Sequence, residues 1–402
     1  MKKLLNIEYG SIHGFYWMIY GVISSFASVY LLDRGYSNSE IGIVMAVANV
    51  LAVFIQPVLA DVADRSVRFT LEKIIGIITV GLMSLTVFLM FVEGASTGLF
   101  VIYILLLAFH TVLQPLINAL NFKLEECGVR MNFGMCRCGG SLAYSILCAF
   151  LGLFVEKYGS DILPVTAEVV MILLLVSIFL TVKTFGKIEE KSPGQGRRQR
   201  DRESINLIEF IKSNRLFMVL NVGVFFLFIN NQVLNSFMLQ IVQNVGGSSK
   251  DMGEIFSLMA FCEIPTMFCF DWINRRISCE TLLKVASVGF LLKIGAVFMA
   301  ESVKMIFAAH FLQLISFALF LPAMVKYINR VMHRGEAVKG QSLYTTMVTI
   351  SAVAASLGGG IILDVSGASA VTLVSVISAA IGTVIVFCTV DKVKEVKRGH
   401  NS

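Results

Sequence analysis

The chain is short of charge. Asp, Glu, Lys and Arg make up 15% of its 402 residues, where a soluble globular domain carries about 25%, so little of it is built to face water. It is also short of proline, with six, and four of these (Pro57, Pro115, Pro265, Pro322) lie inside apolar runs. Membrane helices tolerate such prolines because neighbouring helices, polar side chains and water satisfy the freed carbonyls. A phosphate-binding G-x-x-x-x-G-K-[ST] loop is missing, as is any polar block large enough for a nucleotide-binding domain, and both absences argue against an ATP-driven pump. There is no H-E-x-x-H and the five histidines stand apart, which argues against an intramembrane enzyme. The eight cysteines are scattered, and Cys136-Arg137-Cys138 is too short and isolated for a zinc site. They read as small apolar fillers, and neither metal nor cofactor is expected. The net charge of +6 is modest and calls for no nucleic-acid partner.

What the chain does have is hydrophobic length: 56% of residues are apolar and the mean hydropathy is +0.79. A hydrocarbon core about 30 Å thick needs about 20 apolar residues per helix. Twelve runs qualify: 11–32, 41–60, 74–93, 98–121, 136–156, 163–185, 214–243, 252–271, 281–300, 305–329, 341–363 and 370–390. Alternate connections are short and nearly free of basic residues. Of the 33 Lys and Arg, only Arg34, Lys157, Lys250 and Lys304 lie on that side, and Arg137 and Lys293 lie inside spans. The remaining 27 lie on the other side, which the positive-inside rule makes cytoplasmic, together with both termini. Met1-Lys2-Lys3 before an apolar stretch looks like a signal peptide, but without an A-x-A-like cleavage site it reads as a retained first helix. The expected place is therefore a cell membrane, with the lipid bilayer as the main surrounding and a monomer as the working unit.

The two halves echo each other. Gly35-Tyr36-Ser37-Asn38-Ser39-Glu40-Ile41-Gly42 returns as Gly246-Gly247-Ser248-Ser249-Lys250-Asp251-Met252-Gly253, an offset of 246 minus 35, or 211. Each copy precedes a long apolar run, and each run ends in similar punctuation: Asp61-x-x-Asp64-Arg65 and Asp271-x-x-Asn274-Arg275. Pro57/Pro265 and Pro115/Pro322 keep the same spacing to within a few residues. Parallel repeats of this kind are a transporter architecture, with the solute held near the bilayer midplane. The polar stretch 186–204 falls between the halves and reads as a flexible linker. The expected organisation is a six-helix bundle over 1–185, a linker over 186–208 and a second six-helix bundle over 209–402, all α-helical.

Polar residues inside the spans carry the functional reading. Glu263 lies mid-span before Pro265, where an ionised group costs about 2.5–3.5 kcal/mol on insertion scales, so such residues face cavities and mark ion or substrate pathways. Desolvation favours its protonated form and a nearby cation favours the ionised one, which suits a group that takes up and releases a proton. Lys293, also mid-span, and Arg137, opening the fifth span, are the available bases. Tyr144 follows Arg137 by about two helical turns on the same face, so a guanidinium fork and a ring are offered together. Asn118 and Asn121 share a face of the fourth span, and Asn230, Asn231, Gln232 and Asn235 cluster in the seventh. His110 and His310 could titrate near neutral pH. Gly139-Gly140-Ser141 and Gly358-Gly359-Gly360 point to close helix approach.

These strings resemble the major facilitator superfamily over nearly the full length, in particular the branch of lactose permease-like oligosaccharide/proton symporters and the related nucleoside and aromatic-acid permeases. The residues that carry the resemblance are Gly35-x-Ser37-x-x-Glu40-Ile41-Gly42, Gln56-Pro57-x-x-Ala60-Asp61-x-x-Asp64-Arg65 and Phe133-Gly134-x-x-Arg137-x-x-Gly140. In the second half they are Glu263, Phe317-Ala318-Leu319 and Asp364-x-x-Gly367. The resemblance implies two pseudo-symmetric six-helix bundles that move a small polar organic solute by alternating access with proton symport. It implies proton coupling by Glu263, Lys293 and His310, solute binding by Arg137, Tyr144, Asn118, Asn231 and Gln313, and an intracellular latch at Asp61, Asp64 and Arg65. Ala60 stands where the loop motif of that family usually has Gly, and titratable groups are lost at three further places: Asn118 and Asn231 stand where acidic residues are common, and Gln313 where a histidine is. Those losses count against a lactose-type relay, so a facilitator or exchanger without proton coupling is the competing expectation.

Overall fold

The computed structural model describes residues 2–65, 70–126, 133–189, 210, 213–332 and 336–398. Among them there is no strand, and eleven helices are long and apolar enough to cross a membrane. The last of these, Ala337–Arg398, is broken at Gly367 (φ 77°), so twelve spans are present. We number them α1 (Leu4–Asp33), α2 (Asn38–Arg65), α3 (Leu71–Leu89), α4 (Thr97–Glu126), α5 (Phe133–Tyr158) and α6 (Ile162–Glu189). Then come α7 (Arg215–Gln243), α8 (Ser249–Asn274), α9 (Cys279–Phe298), α10 (Val303–Val331), α11 (337–366) and α12 (368–398). Several helices outrun the apolar runs that signalled them. The first begins at Lys2 and the sixth continues to Glu189, because polar residues extend a helix into the interface without hydropathic trace. The rest of the expected linker, 190–208, lies outside the described residues.

The spans form two compact units. One comprises α1–α6 with Ser248–Phe261, the first half of α8; the other comprises α7, the remainder of α8 from Cys262, and α9–α12.

The repeated octapeptide is a pair of identical helix signals. Gly35 (φ 89°) and Gly246 (φ 81°) take left-handed conformations that only glycine adopts cheaply. Around them Gly35 N–H bonds Leu32 O (2.9 Å) and Tyr36 N–H bonds Leu31 O (3.1 Å), matched by Gly246 to Gln243 (3.0 Å) and Gly247 to Val242 (2.9 Å). This is the Schellman closure of the preceding helix. The next helix then opens on a capping box: Ser37 N–H donates to Glu40 Oε2 (2.8 Å) and Glu40 N–H to Ser37 Oγ (3.2 Å). In the second copy Ser248 N–H donates to Asp251 Oδ2 (2.8 Å). The motif thus satisfies orphan backbone groups at both ends of a tight turn. Gly94-Ala95-Ser96-Thr97-Gly98 spells the G-x-S-x-G of hydrolase nucleophiles, but Ser96 Oγ accepts from Leu99 N–H (3.1 Å) and caps α4.

A second repeat emerges in three dimensions. Val22-Ile23-Ser24-Ser25-Phe26 in α1 and Val233-Leu234-Asn235-Ser236-Phe237 in α7 are separated by the same 211 residues, and both break their helix. In α1, Gly21–Ser25 form a π-turn in which Phe26 N–H reaches back five residues to Gly21 O (3.1 Å). Phe26 (φ −96°, ψ 12°) and Phe237 (φ −129°, ψ 26°) both leave helical geometry. Both side chains are fully buried.

Small residues set the tightest contacts. In the first unit α5 meets the start of α8 backbone to backbone: a Cβ on Gly253 would lie 2.4 Å from Cys148 O and 3.0 Å from Gly152 Cα. Ser145 Oγ donates to Ser257 O (2.8 Å) along the same seam. Gly359 similarly admits the Phe237 ring and Gly140 admits Trp17. Gly253→Ala should therefore lower the thermal unfolding midpoint in detergent through an overpacking cost of about 1–3 kcal/mol. Gly139→Ala, with open space at its Cβ, should leave the midpoint unchanged or raised.

Candidate functional site

Two polar clusters lie within the spans, one in each unit. That of the second unit is built on Lys293. The buried face of α9 runs through Phe290, Lys293, Ile294 and Val297, helical spacing that places the lysine among apolar side chains with no exposed surface. One turn earlier Gly289 lets α10 approach: a Cβ there would sit 2.8 Å from Ile315 O. At that approach α10 tightens to a 3-10 turn over His310–Leu314, which carries Gln313 inward. Lys293 Nζ donates to Gln313 Oε1 (2.9 Å) and to Asn231 Oδ1 of α7 (3.3 Å). Gln313 Nε2 in turn donates to Glu263 Oε1 of α8 (3.2 Å). Thr266, one turn beyond Glu263, pins α8 to the same turn through Leu314 O (3.0 Å).

The result is a chain from carboxylate through amide to ammonium. Gln313 and Asn231 are almost wholly buried and Glu263 is half-buried. A buried ammonium persists only where oxygens replace its lost hydration, and the two amide oxygens do so. Both amides are expected to bind solute; here their oxygens accept from the lysine. His310 is fully buried, and its Nδ1 bonds Ile306 O of its own helix (2.7 Å). Its Nε2 meets no hydrogen-bond partner among the described residues.

The cluster of the first unit is aromatic. Arg137 Cζ lies 4.1 Å from the ring centroid of Trp17, within cation–π range. Trp17 meets Tyr16 (5.4 Å) and Tyr20 (5.3 Å) edge to face, and Tyr16 stacks on His110 (4.7 Å, 4°). Tyr20 adjoins Tyr144 (6.1 Å), whose hydroxyl shares a 2.8 Å hydrogen bond with Ser25 Oγ. Arg137 and Tyr144 thus both turn toward α1. Its aromatic stripe (Tyr16, Trp17, Tyr20) was missed in the sequence, although Tyr9, His13, Tyr16 and Tyr20 recur at helical spacing. Asn118 is half-buried on α4 and makes none of these bonds.

Of the expected latch, Asp61 is half-buried near the end of α2, while the side chains of Asp64 and Arg65 lie outside the described residues. In the second copy Asp271 accepts from Lys326 Nζ of α10 (2.6 Å), and Arg330 pairs with the buried Glu280. No group of three or more metal-ligating side chains occurs among the described residues.

Removing one member of a buried pair costs more than removing both, because a lone charge stays desolvated. Glu263→Gln should therefore destabilise the detergent-solubilised protein, by less than the loss of one partner of a fully buried direct pair, because Glu263 is half-buried and is linked to Lys293 through Gln313. Glu263→Gln/Lys293→Met should recover most of that loss in a thermal unfolding series.

The model of the MFS_1 like family matches residues 9–374. The chain is 24% identical over 379 residues to the maltose permease of Geobacillus stearothermophilus, covering 92% of each protein. It is 23% identical over 350 residues to the uncharacterized transporter YwbF of Bacillus subtilis (strain 168), covering 85% of this chain and 82% of that one. Among solved structures, the nucleoside transporter NupG superposes with a TM-score of 0.75 at 14% identity, covering 96% of this chain and 98% of that one. A bacterial homolog of the human lysosomal transporter Spinster, inward-facing and occupied, superposes with a TM-score of 0.68 at 14% identity, covering 96% of each.

Proposed function

The chain belongs to the MFS_1 like family of membrane transporters, and from that premise we propose that it moves a small polar organic solute, a sugar or nucleoside, by alternating access with proton symport. It does so across a cell membrane, with both termini in the cytoplasm. The observation that carries the coupling is the chain Glu263–Gln313–Lys293 inside the spans. An ionisable group at that depth costs free energy that only a functional or structural partner offsets. Here the carboxylate is half-buried while the ammonium is enclosed, so Glu263 is the member that exchanges protons with water. Protonating it removes the charge that balances Lys293, and Gln313 transmits the loss through a single amide.

Arg137, Trp17, Tyr20 and Tyr144 supply the solute contacts in this reading. Guanidinium N–H groups bond hydroxyl or carbonyl oxygens, and the rings stack on the face of a sugar or base. The relatives named for maltose and nucleosides agree with either choice. Asn118 is a further contact, and His310 a second titrating group beside Lys293. Asp61, Asp64 and Arg65 form the latch, as Asp271 and Lys326 do in the second copy.

Uptake of radiolabelled maltose and uridine into proteoliposomes tests the coupling. Acidifying the outside should stimulate uptake, and Glu263→Gln should abolish accumulation against a gradient while sparing counterflow. Uptake indifferent to the pH gradient would instead make the protein a facilitator with Glu263 and Lys293 as a fixed pair. Asp64→Asn should slow counterflow more than it weakens solute affinity, measured by thermal shift in detergent.

A further inference from the structure

We propose that Tyr103 is a positioning residue: its hydroxyl, bonded to the carbonyl of Ile23, holds the π-turn of α1 in the register that sets Ser25 against Tyr144. As a statement about solute binding this rests on the reading of Tyr144 given above.

The wide turn runs over Gly21–Ser25; its counterpart in α7, 232–236, has Gln232 for the glycine and differs at two further positions. The first copy winds a wide turn and the second kinks at Phe237. A contact from outside α1 also differs between the copies. Tyr103 Oη donates to Ile23 O (3.0 Å), within the wide turn, and the tyrosine is 2% exposed. Its ring is fixed by stacking on Tyr30 (5.8 Å, 21°). The position 207 residues on, the spacing of Pro115 and Pro322, is His310. That ring bonds its own helix at Ile306 O instead. A hydroxyl anchored across the bundle thus accompanies the π-turn in one copy and is missing from the kinked copy.

The consequence is angular. A π-turn holds one residue more than an α-turn, so every later residue is rotated by about 100° relative to a regular helix. Ser25 closes the turn, and its Oγ lies 2.8 Å from Tyr144 Oη. Relaxing the turn to α geometry would swing that oxygen away and leave the Tyr144 hydroxyl with Cys148 but without Ser25. The hydrogen bond and ring contact of Tyr103 among the described residues are with Ile23 and Tyr30, neither of which is assigned to the solute; it acts through the backbone of α1.

The test places 3-fluorotyrosine at position 144 of the full chain in nanodiscs and follows its fluorine resonance. Ser25→Ala calibrates the shift caused by losing the Ser25 bond. Tyr103→Phe, which keeps the ring and removes one hydroxyl, should shift the resonance in the same direction. Tyr30→Phe removes another buried hydroxyl, bonded to Leu89 O at 2.8 Å, and should leave the resonance in place. An unmoved resonance in Tyr103→Phe, or in Ser25→Ala itself, overturns the assignment, as does an equal shift in Tyr30→Phe. No solute is needed for these measurements. Titrating maltose or uridine against the same resonance tests the solute reading separately, and its failure would leave the role of Tyr103 in place. With a transported solute, Tyr103→Phe should raise KM about three- to tenfold, the loss of one hydrogen bond, with kcat little changed.

Discussion

A fully enclosed lysine inside an apolar bundle is the constraint around which the second unit is arranged. An ammonium taken out of water needs oxygens in place of its hydration shell, and the buried α9 side chains within a turn of it, Phe290, Ile294 and Val297, carry none. The oxygens come from Asn231 on α7 and Gln313 on α10, and the second depends on both a small residue and a local irregularity. Gly289 brings α10 close, and the tight turn over His310–Leu314 swings Gln313 inward. The same amide reaches Glu263, so the two charges share one linker. Packing, backbone geometry and electrostatics are therefore tied at one point, where a change of protonation would be felt by three helices.

The first unit solves a different problem with different chemistry. Its cation, Arg137, is stacked on an indole instead of being caged by amides. Aromatic rings offer the face of a π-system to a cation without any desolvated oxygen. Tyr16, Trp17 and Tyr20 make α1 the backbone of this cluster. The π-turn just beyond them is consequential because it governs the direction of the last polar group in the series, Ser25. Two halves descended from one pattern thus keep the positions of turns, prolines and helix breaks while exchanging the side chains around them.

The span pattern could be read from hydropathy, because the bilayer imposes a minimum apolar length on every span. The octapeptide copies were legible as a repeat. Their physical content, a Schellman closure followed by a capping box, follows from glycine and the Ser-x-x-Glu spacing. Glu263, Lys293, Arg137 and Tyr144 stood out because polar groups are costly in such surroundings. The aromatic stripe of α1 did not, since tyrosine and tryptophan are common in membrane helices and carry no such cost. The second repeat, Val22–Phe26 and Val233–Phe237, escaped notice because its residues are ordinary apolar and hydroxyl types.

The amino-acid sequence alone determined the number of spans and the half-chain repeat, since each reflects a local rule about solvent or backbone freedom. Tertiary structure alone decided the partners. Asn231 and Gln313 turn to Lys293, Arg137 lies on Trp17, and Tyr103 reaches a carbonyl of α1 eighty residues away. Hydrogen bonds and ring contacts depend on which helix faces which and at what rotation. That rotation is set by glycine contacts and helix breaks whose effect cannot be summed along a single helix.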